Sequence, residues 1–243
     1  MTANASRAAA LNDLATALAS LRLGRPVRIA VDGRTAAGKT TLANELADII
    51  ARGGREVIRT SIDGFHRPRA ERYARGRFSP EGYYHDARDH TAIRALLLAP
   101  LGPDGNRRYR TASFDLENDR PVDQAPQHAS PEDILIVDGT FLQRPELRGD
   151  WDLAIFIETT ETAAEQRGIE RDTAMFGGTD AARRLYAERY QPAFRIYEGL
   201  CAPVSIADVV FNNDVFESPR LRVRNGSRLP PHGMERLQQR CPR

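Results

Sequence analysis

The sequence predicts an α/β protein whose central sheet is parallel and doubly wound. Short apolar runs of strand length alternate along the chain with longer segments whose apolar residues recur at helical spacing. A glycine-rich loop, residues 33–40, also stands between the first such strand and the first long amphipathic helix. A length of 243 residues suits one domain of this kind with short appendages.

Local patterns predict each element in chain order. Strands are predicted where β-branched or continuous apolar runs are bounded by turn residues. Helices are predicted where apolar residues lie three or four apart, and Gly or Pro ends them. The predicted strands are residues 27–32, 57–62, 109–114, 134–137, 153–157 and 207–211. The predicted helices are residues 8–22, 40–52, 89–99, 161–174 and 180–199.

The remaining segments are polar and lack periodicity. Residues 63–88 are rich in Arg, Tyr and Gly, which favours an irregular substrate loop. From residue 217 onward the chain is rich in Arg and Pro, which predicts a mobile tail. The predicted organisation is an N-terminal helix packed on the core (1–24), a catalytic domain (25–216) with a lid at about 161–180, and a tail (217–243).

Lys39 is the only lysine among the 35 basic residues of the chain. It lies in a segment that fits the phosphate-binding pattern G-x-x-x-x-G-K-[ST]. A compact ammonium reaches phosphates inside a tight loop, which a broad guanidinium does not easily enter. With strand before it and helix after it, the loop predicts an ATP-binding site formed by Gly33, Arg34, Thr35, Ala36, Ala37, Gly38, Lys39, Thr40 and Thr41.

A magnesium site is predicted beside this loop. The hydroxyl of Thr40 follows the lysine, where the motif places a Mg²⁺ ligand; a helix-capping Thr is the alternative. Asp138 ends the third apolar strand and is expected to hold the same Mg²⁺, through water, unless it is simply a turn aspartate. The residue after it is Gly139, so the Asp-Glu pair typical of hydrolytic motor ATPases is missing.

Asp63 and two arginines are the candidates for transfer chemistry. Asp63 ends the second strand, where a carboxylate could accept the proton of a substrate hydroxyl or could serve only as a turn residue before Gly64. Arg167 and Arg171 lie four residues apart on one helical face. They could close over a transferring phosphoryl group, or they could form surface ion pairs with Glu170 or Asp172.

The composition excludes several function classes. A net charge of +2 argues for neither nucleic acid nor a membrane surface. The chain has two cysteines with no disulfide or zinc spacing, which favours a reducing cytoplasm, and no membrane-spanning run or signal peptide is predicted. With Lys39 already committed, no lysine remains for the guanine-reading signature of regulatory GTPases or for a Schiff base.

Taken together, these segments resemble the uridine kinase family, within a group that includes pantothenate kinase and phosphoribulokinase. The resemblance covers about residues 26–215 and rests on residues 33–41, 62–66, 79–89, 134–142, 167, 171–172 and 207–213. It implies a phosphate-loop NTPase-type three-layer sandwich with a helical lid, and ATP with Mg²⁺ as cofactors. It further implies phosphorylation of a primary hydroxyl, with Asp63 as base and Lys39, Arg167 and Arg171 in catalytic roles.

The resemblance also implies a set of substrate contacts and shows three departures from the family. The implied contacts are Phe65, His66, Tyr83, Tyr84, Asp86, Tyr109 and Arg110. Tyr83 replaces a carboxylate that uridine kinases are expected to use for ribose, and Asp138 stands where they commonly carry Glu. Arg110 follows Tyr109 where an acid is expected, which favours a different, anionic acceptor.

Three hypotheses follow for the function. The first is a small-molecule kinase with a nucleoside such as uridine or cytidine as acceptor, ahead of pantothenate, nicotinamide riboside or a sugar phosphate. The second is a nucleotide-binding regulatory protein without transfer chemistry. The third, nucleic-acid binding through the basic tail, is disfavoured because residues 220–243 contain no aromatic side chain for stacking. The expected partners are therefore a small-molecule acceptor and, as in related kinases, further copies of the chain in a homo-oligomer.

Overall fold

A computed structural model describes residues 6–229. Its centre is a six-stranded sheet in the order β10-β9-β8-β1-β7-β2, in which all neighbours are parallel except the antiparallel edge pair β9–β10. The strands are β1 Val27–Gly33, β2 Val57–Ser61, β3 Arg108–Tyr109, β4 Phe114–Asp115, β5 Arg120–Pro121, β6 Gln127–His128, β7 Ile134–Gly139, β8 Leu153–Glu158, β9 Val209–Asn212 and β10 Arg220–Val223.

Helices cover both faces of this sheet. They are α1 Arg7–Ala19, α2 Lys39–Arg52, α3 Arg69–Arg72, α4 Pro80–His85, α5 His90–Ile93, α6 Glu161–Phe176, α7 Thr179–Leu185, α8 Gln191–Cys201 and α9 Pro203–Ile206. Short 3₁₀ turns occur at Ile62–Phe65 and Arg148–Asp150, and π-helical turns continue α5 at Arg94–Leu98 and join α7 to α8 at Tyr186–Tyr190. Within this described part of the chain, no helix is long and apolar enough to cross a membrane.

Alternate residues of the central strands face two separate hydrophobic layers. On one face, Ile29, Ile136 and Ile155 pack with α1 and α2. On the other face, Leu135 packs with α5 and its π-helical turn, and Phe156 packs with α4 and α8. The strands are buried on both sides, which explains their continuous apolar sequences. The predicted three-layer α/β fold is therefore confirmed.

The parallel registers bring the carboxyl ends of β1, β2 and β7 to one edge of the sheet. Asp32 pairs with Gly139 across β1 and β7, and Ser61 pairs with Asp138 across β2 and β7. The phosphate loop leaves β1 at this edge, and Asp63 follows β2 there. Ligands of doubly wound sheets bind in the crevice outside these strand ends, so the fold gathers the predicted site residues at one place.

The predicted strand from Tyr109 to Phe114 is wrong. Arg108–Tyr109 pairs with Gln127–His128, whereas Phe114–Asp115 pairs with Arg120–Pro121, so two separate two-stranded ladders replace it. Between them, the Gln124 side-chain oxygen accepts hydrogen bonds from the backbone N–H groups of Thr111 at 2.7 Å and Ala112 at 3.2 Å. Because a side chain takes these donors, the chain bends instead of continuing a ladder.

The prediction of a mobile tail from residue 217 is wrong for the part that the structure describes. β10 extends the sheet, and the buried carboxylate of Asp208 binds the guanidinium groups of Arg224 at 3.3 Å and Arg228 at 2.6 Å. Residues 230–243 of the predicted tail, which include Arg236, Arg240 and Arg243, lie outside the described residues. The central sheet therefore extends beyond residue 216, where the predicted domain ends.

The predicted irregular loop 63–88 contains local structure. The 3₁₀ turn follows β2 at once, and the short helices α3 and α4 lie within the segment. Ser79 caps α4 by accepting a hydrogen bond from the backbone N–H of Gly82 at 3.0 Å, and Pro80 occupies the first helical position. This is the usual arrangement at a helix start, and it positions Tyr83 and Arg88 beside the strand edge.

Candidate active site

The phosphate loop connects the end of β1 to the first residue of α2. Gly38 has φ +96°, and a Cβ atom built on it would lie 2.6 Å from the side-chain nitrogen of Asn213. That nitrogen donates a hydrogen bond to the carbonyl oxygen of Ala37 at 2.9 Å. Only glycine suits this position, because it tolerates both the left-handed backbone and the close contact. The loop is thus fixed in shape by the end of β9.

The side chain of Lys39 points back into this loop. Its Nζ atom donates a hydrogen bond to the carbonyl oxygen of Arg34 at 2.7 Å. Burial lowers the pKa of Lys39 to about 8, although the nearby carboxylates of Asp138, Asp32 and Asp63 oppose that shift. The ammonium group therefore lies where the negative charge of a bound polyphosphate would stabilise its protonated form.

Thr40 and Asp138 meet at the predicted magnesium position. The hydroxyl of Thr40 donates to Asp138 Oδ2 at 2.6 Å, and Arg59 donates to Asp138 Oδ1 at 2.6 Å. Mg²⁺ usually takes one or two protein oxygens and completes its octahedron with water and phosphate oxygens, and these two residues fit that pattern. Consistent with so sparse a site, residues 6–229 contain no cluster of three or more His, Cys, Asp or Glu that could hold a metal by itself.

Asp63 lies on the 3₁₀ turn after β2 with 60% of its side chain exposed. Arg88 donates to Asp63 Oδ1 at 2.7 Å. Burial raises the pKa of the Asp63 carboxyl, but the charges of Arg88 and Lys39 and the hydrogen bond from Arg88 act together against it, so the pKa is lower than usual. The carboxylate is therefore ionised at neutral pH and accessible to a hydroxyl.

Both predicted lid arginines face the cleft beside the phosphate loop. This open cleft, of about 670 Å³, is lined by Ala36, Gly38, Lys39, Thr40, Thr41, Arg167, Arg171, Asn213 and Phe216. Arg167 donates to the carbonyl oxygens of Asn213 at 3.0 Å and Asp214 at 2.8 Å. Arg171 forms a two-pronged ion pair with Asp172 at 2.6 and 2.9 Å, the alternative partner that its sequence position suggested.

The predicted ATP-binding residues divide into two groups. Five of them, Ala36 and Gly38 to Thr41, line the cleft. Arg34 points elsewhere: its guanidinium lies 4.5 Å from the centre of the Phe194 ring and 3.6 Å from the carboxylates of Glu161 and Glu198. Its side chain connects the loop to α6 and α8, so only the backbone of Arg34 is placed to contact a nucleotide.

Three predicted substrate contacts lie in the hydrophobic core instead. The side chains of Phe65, Tyr84 and Tyr109 are 0%, 4% and 6% exposed. Phe65 and Tyr109 pack under β2 and β7, and Tyr84 packs against Phe141 with its hydroxyl 3.5 Å from the Cys201 sulfur. These rings present almost no surface to an acceptor. Their burial fixes the shape of the segments that carry Asp63 and Tyr83.

The other predicted substrate residues surround the edge near Asp63. His66 donates a hydrogen bond from Nδ1–H to the carbonyl oxygen of Asp63 at 2.8 Å, and burial lowers the pKa of His66 to about 3. Tyr83 lies between Arg88 and the ring of Tyr190. Two further residues are paired locally: Asp86 with Arg75 at 2.8 Å and Arg110 with Asp123 at 3.0 Å.

Sequence reasoning missed Asp32, a fully buried carboxylate directly before the phosphate loop. It accepts hydrogen bonds from the backbone N–H groups of Gly33 at 2.7 Å and Phe141 at 3.1 Å, from Gln143, and from the hydroxyl of Tyr197. Burial raises the pKa of Asp32 despite these bonds. An aspartate in a buried strand is itself unusual, which is the signal that could have identified it.

Arg59 and Arg88 were missed as well, because their importance comes from partners distant in sequence. Arg59 contacts Asp138 and Arg88 contacts Asp63. In a chain with 34 arginines, nothing local distinguishes these two. The structure thus joins each predicted acidic residue to a guanidinium.

The fold has three layers, and a lysine-bearing phosphate loop lies at one edge of its sheet. A hydroxyl–carboxylate pair is adjacent to the loop, and a second carboxylate lies at the same edge. These features together define a phosphate-loop kinase. The model of the phosphoribulokinase / uridine kinase family matches residues 28–214. The chain belongs to this family, which confirms the resemblance seen in the sequence. The family assignment implies a small-molecule kinase that binds ATP.

Similar proteins of known name include bacterial uridine kinases. The chain is 25% identical to one from Lactiplantibacillus plantarum over 177 residues, covering 70% of this chain and 79% of the relative. A uridine kinase from Leuconostoc citreum is 25% identical over 169 residues, covering 64% of this chain and 72% of the relative. This level of identity supports the family and leaves the acceptor open.

Solved structures show the same fold. A possible uridine kinase from Bacillus stearothermophilus superposes with a TM-score of 0.65 and 23% identity, covering 83% of this chain and 96% of the other. A phosphoribulokinase from Rhodobacter spheroides superposes with a TM-score of 0.60 and 19% identity, covering 83% and 81%. Proteins named for different acceptors thus share this architecture, so the acceptor must be argued from the site.

Proposed function

We propose that the protein transfers the γ-phosphoryl group of ATP, with Mg²⁺, to the primary hydroxyl of a small molecule, and that Asp63 is the general base. The observation that supports this most directly is the position of Asp63: ionised, exposed, and at the same strand edge as Lys39 and Asp138. In the transfer, the acceptor oxygen forms a bond to the γ-phosphorus while the bond to the β–γ bridging oxygen breaks. The hydroxyl proton passes to Asp63.

The other residues of the cleft have roles in binding and charge neutralisation. Lys39 and the backbone N–H groups of the loop would hold the phosphates, and Thr40 with Asp138 would hold Mg²⁺. When bound, Mg²⁺ neutralises charge that develops on the phosphate oxygens. Arg59 now occupies one oxygen of Asp138 and would have to share it or move away.

Arg167 and Arg171 are proposed to neutralise the transferring group. Both line the cleft with Lys39, but Arg167 is bound to two carbonyl oxygens and Arg171 to Asp172. Engagement of a phosphate by Arg171 would therefore require movement of α6 or exchange of partners. This is the behaviour expected of a lid, which closes only when the nucleotide is bound.

A nucleoside is the first acceptor to test, because the named relatives are uridine kinases. Pantothenate, nicotinamide riboside and sugar phosphates are the alternatives within the kinase proposal. A cytoplasmic location and a homo-oligomeric assembly belong to the same proposal. A regulatory nucleotide-binding protein is the second candidate function, and the Arg171–Asp172 pair, which keeps one lid arginine engaged, is the observation that favours it.

The test is acceptor-dependent ADP formation by the purified protein with Mg²⁺-ATP. The panel holds uridine, cytidine, pantothenate, nicotinamide riboside and pentose phosphates, with Asp63→Asn and the surface variant Asp48→Asn measured alongside. We expect ADP with at least one acceptor, loss of about 100-fold or more in Asp63→Asn, and wild-type rates in Asp48→Asn. Tight ATP binding without acceptor-dependent ADP would favour the regulatory function.

A further inference from the structure

Two buried arginines flank Tyr83 next to the proposed base. Arg88 and Arg189 are only 8% and 5% exposed. Their guanidinium carbons lie 5.8 and 4.9 Å from the centre of the Tyr83 ring. Arg88 follows α4, whereas Arg189 belongs to the π-helical turn before α8. Two distant segments of the chain therefore bring positive charge to one aromatic ring.

Among residues 6–229, only one salt bridge, that of Asp63, offsets the charge of this pair. Asp63 is paired with Arg88, but Arg189 forms no salt bridge with any residue in the described range 6–229. Arg189 donates to the carbonyl oxygen of Arg77, and its Nε atom and that of Arg88 are buried without a hydrogen-bond partner. A buried charge without a counterion is strongly unfavourable.

The neighbours of Arg189 include the tyrosines Tyr73, Tyr83 and Tyr190. Its guanidinium lies 4.8 Å from the ring centre of Tyr73, and Tyr190 packs on Tyr83 with ring centres 5.0 Å apart. Burial, together with the charge of Arg88, lowers the pKa of Arg189. An anion bound beside Tyr83 would supply the counterion that Arg189 lacks among residues 6–229 and would offset this cost.

We propose that Arg88 and Arg189 bind an anionic group of the acceptor, so that the substrate is a phosphorylated or carboxylated alcohol and not a neutral nucleoside. This inference rests on the proposed function, since Arg88 is bonded to the base Asp63 and thereby fixes where the acceptor lies. Guanidinium groups bind phosphate and carboxylate oxygens in a two-pronged geometry. The Tyr83 ring contacts both guanidiniums but is neutral, so it leaves their charge available to an anion, whereas an acidic side chain there would neutralise it.

The inference is tested by pairs of alcohols that differ in one anionic group. The pairs are glycerate with glycerol, pantothenate with panthenol, and a pentose 5-phosphate with the free pentose, and uridine is added as a neutral nucleoside. We expect one anionic member to exceed its neutral partner in kcat/KM by about 30-fold or more, the scale of a lost buried charge pair. Preference for the pentose phosphate would identify the group as phosphate, and preference for glycerate or pantothenate as carboxylate.

The outcomes separate the two proposals. Uridine or another neutral alcohol used as efficiently as every anionic one would overturn the anionic acceptor and leave the kinase intact. Absence of acceptor-dependent ADP with all compounds would contradict the kinase itself, and the inference would fall with it.

Arg189→Gln tests the site without touching the base. With the preferred acceptor, we expect a KM increase of about 30-fold or more at nearly unchanged kcat and unchanged KM for ATP. The matched control is Arg183→Gln, an exposed arginine of the preceding helix, which should keep wild-type constants. A lower melting temperature of Arg189→Gln with an unchanged acceptor KM would show a structural role and refute the proposal.

Discussion

At the scale of single residues, Lys39 carries an unusual protonation behaviour. Burial lowers its pKa to about 8, so a large fraction of the unliganded protein has a neutral lysine at pH 8.5. Bound triphosphate would favour the charged form and raise that pKa. ATP binding should therefore be linked to proton uptake near pH 8.5 and to almost none at pH 6.5, where Lys39 is already protonated.

The linkage is measurable by calorimetry. Titration of ATP in two buffers of different ionisation enthalpy should give different apparent enthalpies at pH 8.5 and equal ones at pH 6.5. Lys39→Met should abolish the buffer dependence along with most of the affinity. Equal enthalpies in both buffers at pH 8.5 would contradict the lowered pKa.

How far the sequence predicts single residues depends on where their partners lie. Lys39 and Thr40 are predictable because the short motif that contains them also determines the shape of the loop. Asp63 and Asp138 follow from their positions at strand ends, which the fold brings together. Phe65 could not be placed, because the same residue type suits a core or a substrate pocket, and only packing decides.

At the scale of elements, the lid helix α6 depends on a close crossing at Gly168. A Cβ atom built there would collide with the Tyr186 ring and its hydroxyl. That hydroxyl donates to Asp172 at 2.8 Å, and Asp172 in turn holds Arg171. Contact between the two elements thus sets the position of a proposed lid arginine.

Gly168→Ala should lower the free energy of unfolding by about 1–3 kcal/mol, as expected for an overpacked contact. The proper comparison is Gly199→Ala in α8, where nothing lies within 4 Å of the added methyl group. That variant should gain about 0.5–1 kcal/mol from helix propensity. Chemical denaturation of both proteins checks the pair, and a Gly168→Ala protein as stable as Gly199→Ala would refute the crossing.

Elements were predictable where one local pattern decided them. The buried strands and the long helices have strong periodicity, and the structure contains all of them. The segment from Tyr109 to Phe114 also looks like a strand, but the amide of Gln124, more than ten residues away in sequence, captures its backbone donors. The sequence around residues 109–114 gives no sign of this distant contact, so the predicted strand was wrong.

At the scale of the whole molecule, Asp208 stabilises the chain segment that follows β10 against the rest of the fold. Its fully buried carboxylate binds Arg224 and Arg228 and accepts from the backbone N–H of Ala154 at 3.0 Å. Burial raises the pKa of Asp208, but the hydrogen bonds and charge of Arg228 and the hydrogen bond from Ala154 together outweigh burial, so the net pKa is lowered. The resulting stabilisation is complete above the ordinary pKa of an aspartate and is lost as pH falls through the lowered value.

Asp208→Asn should therefore destabilise the protein by about 2–3 kcal/mol at neutral pH, somewhat below the usual cost of breaking a buried pair because the arginines are partly exposed. Thermal unfolding between pH 3 and 7 should show a weaker acid dependence than in the wild type. Asp180→Asn, at a fully exposed carboxylate, is the control and should leave the curve unchanged. If the stability of Asp208→Asn depended on acid pH as strongly as that of the wild type, Asp208 would not have this stabilising role.

The end of the sheet could not be predicted from the sequence. The strand β10 is short, and its arginines give it the composition of a solvent-exposed segment. Only Leu221 and Val223 alternate toward the core, too few to distinguish a strand from a tail. Asp208, which binds Arg224 and Arg228 after β10, lies more than ten residues earlier in the chain. The large-scale fold, in contrast, follows from alternating strands and helices with a loop motif at the first junction.

The most direct test of the account measures phosphoryl transfer itself in a single turnover with limiting ATP and the preferred acceptor. The wild-type protein should convert acceptor to its phosphate ester, with one ADP formed for each ester. Asp63→Asn should bind ATP with unchanged Kd and transfer about 100-fold more slowly or worse. Transfer by Asp63→Asn at the wild-type rate would contradict the assignment of Asp63 as the base, and ATP consumption without ester formation would contradict the kinase.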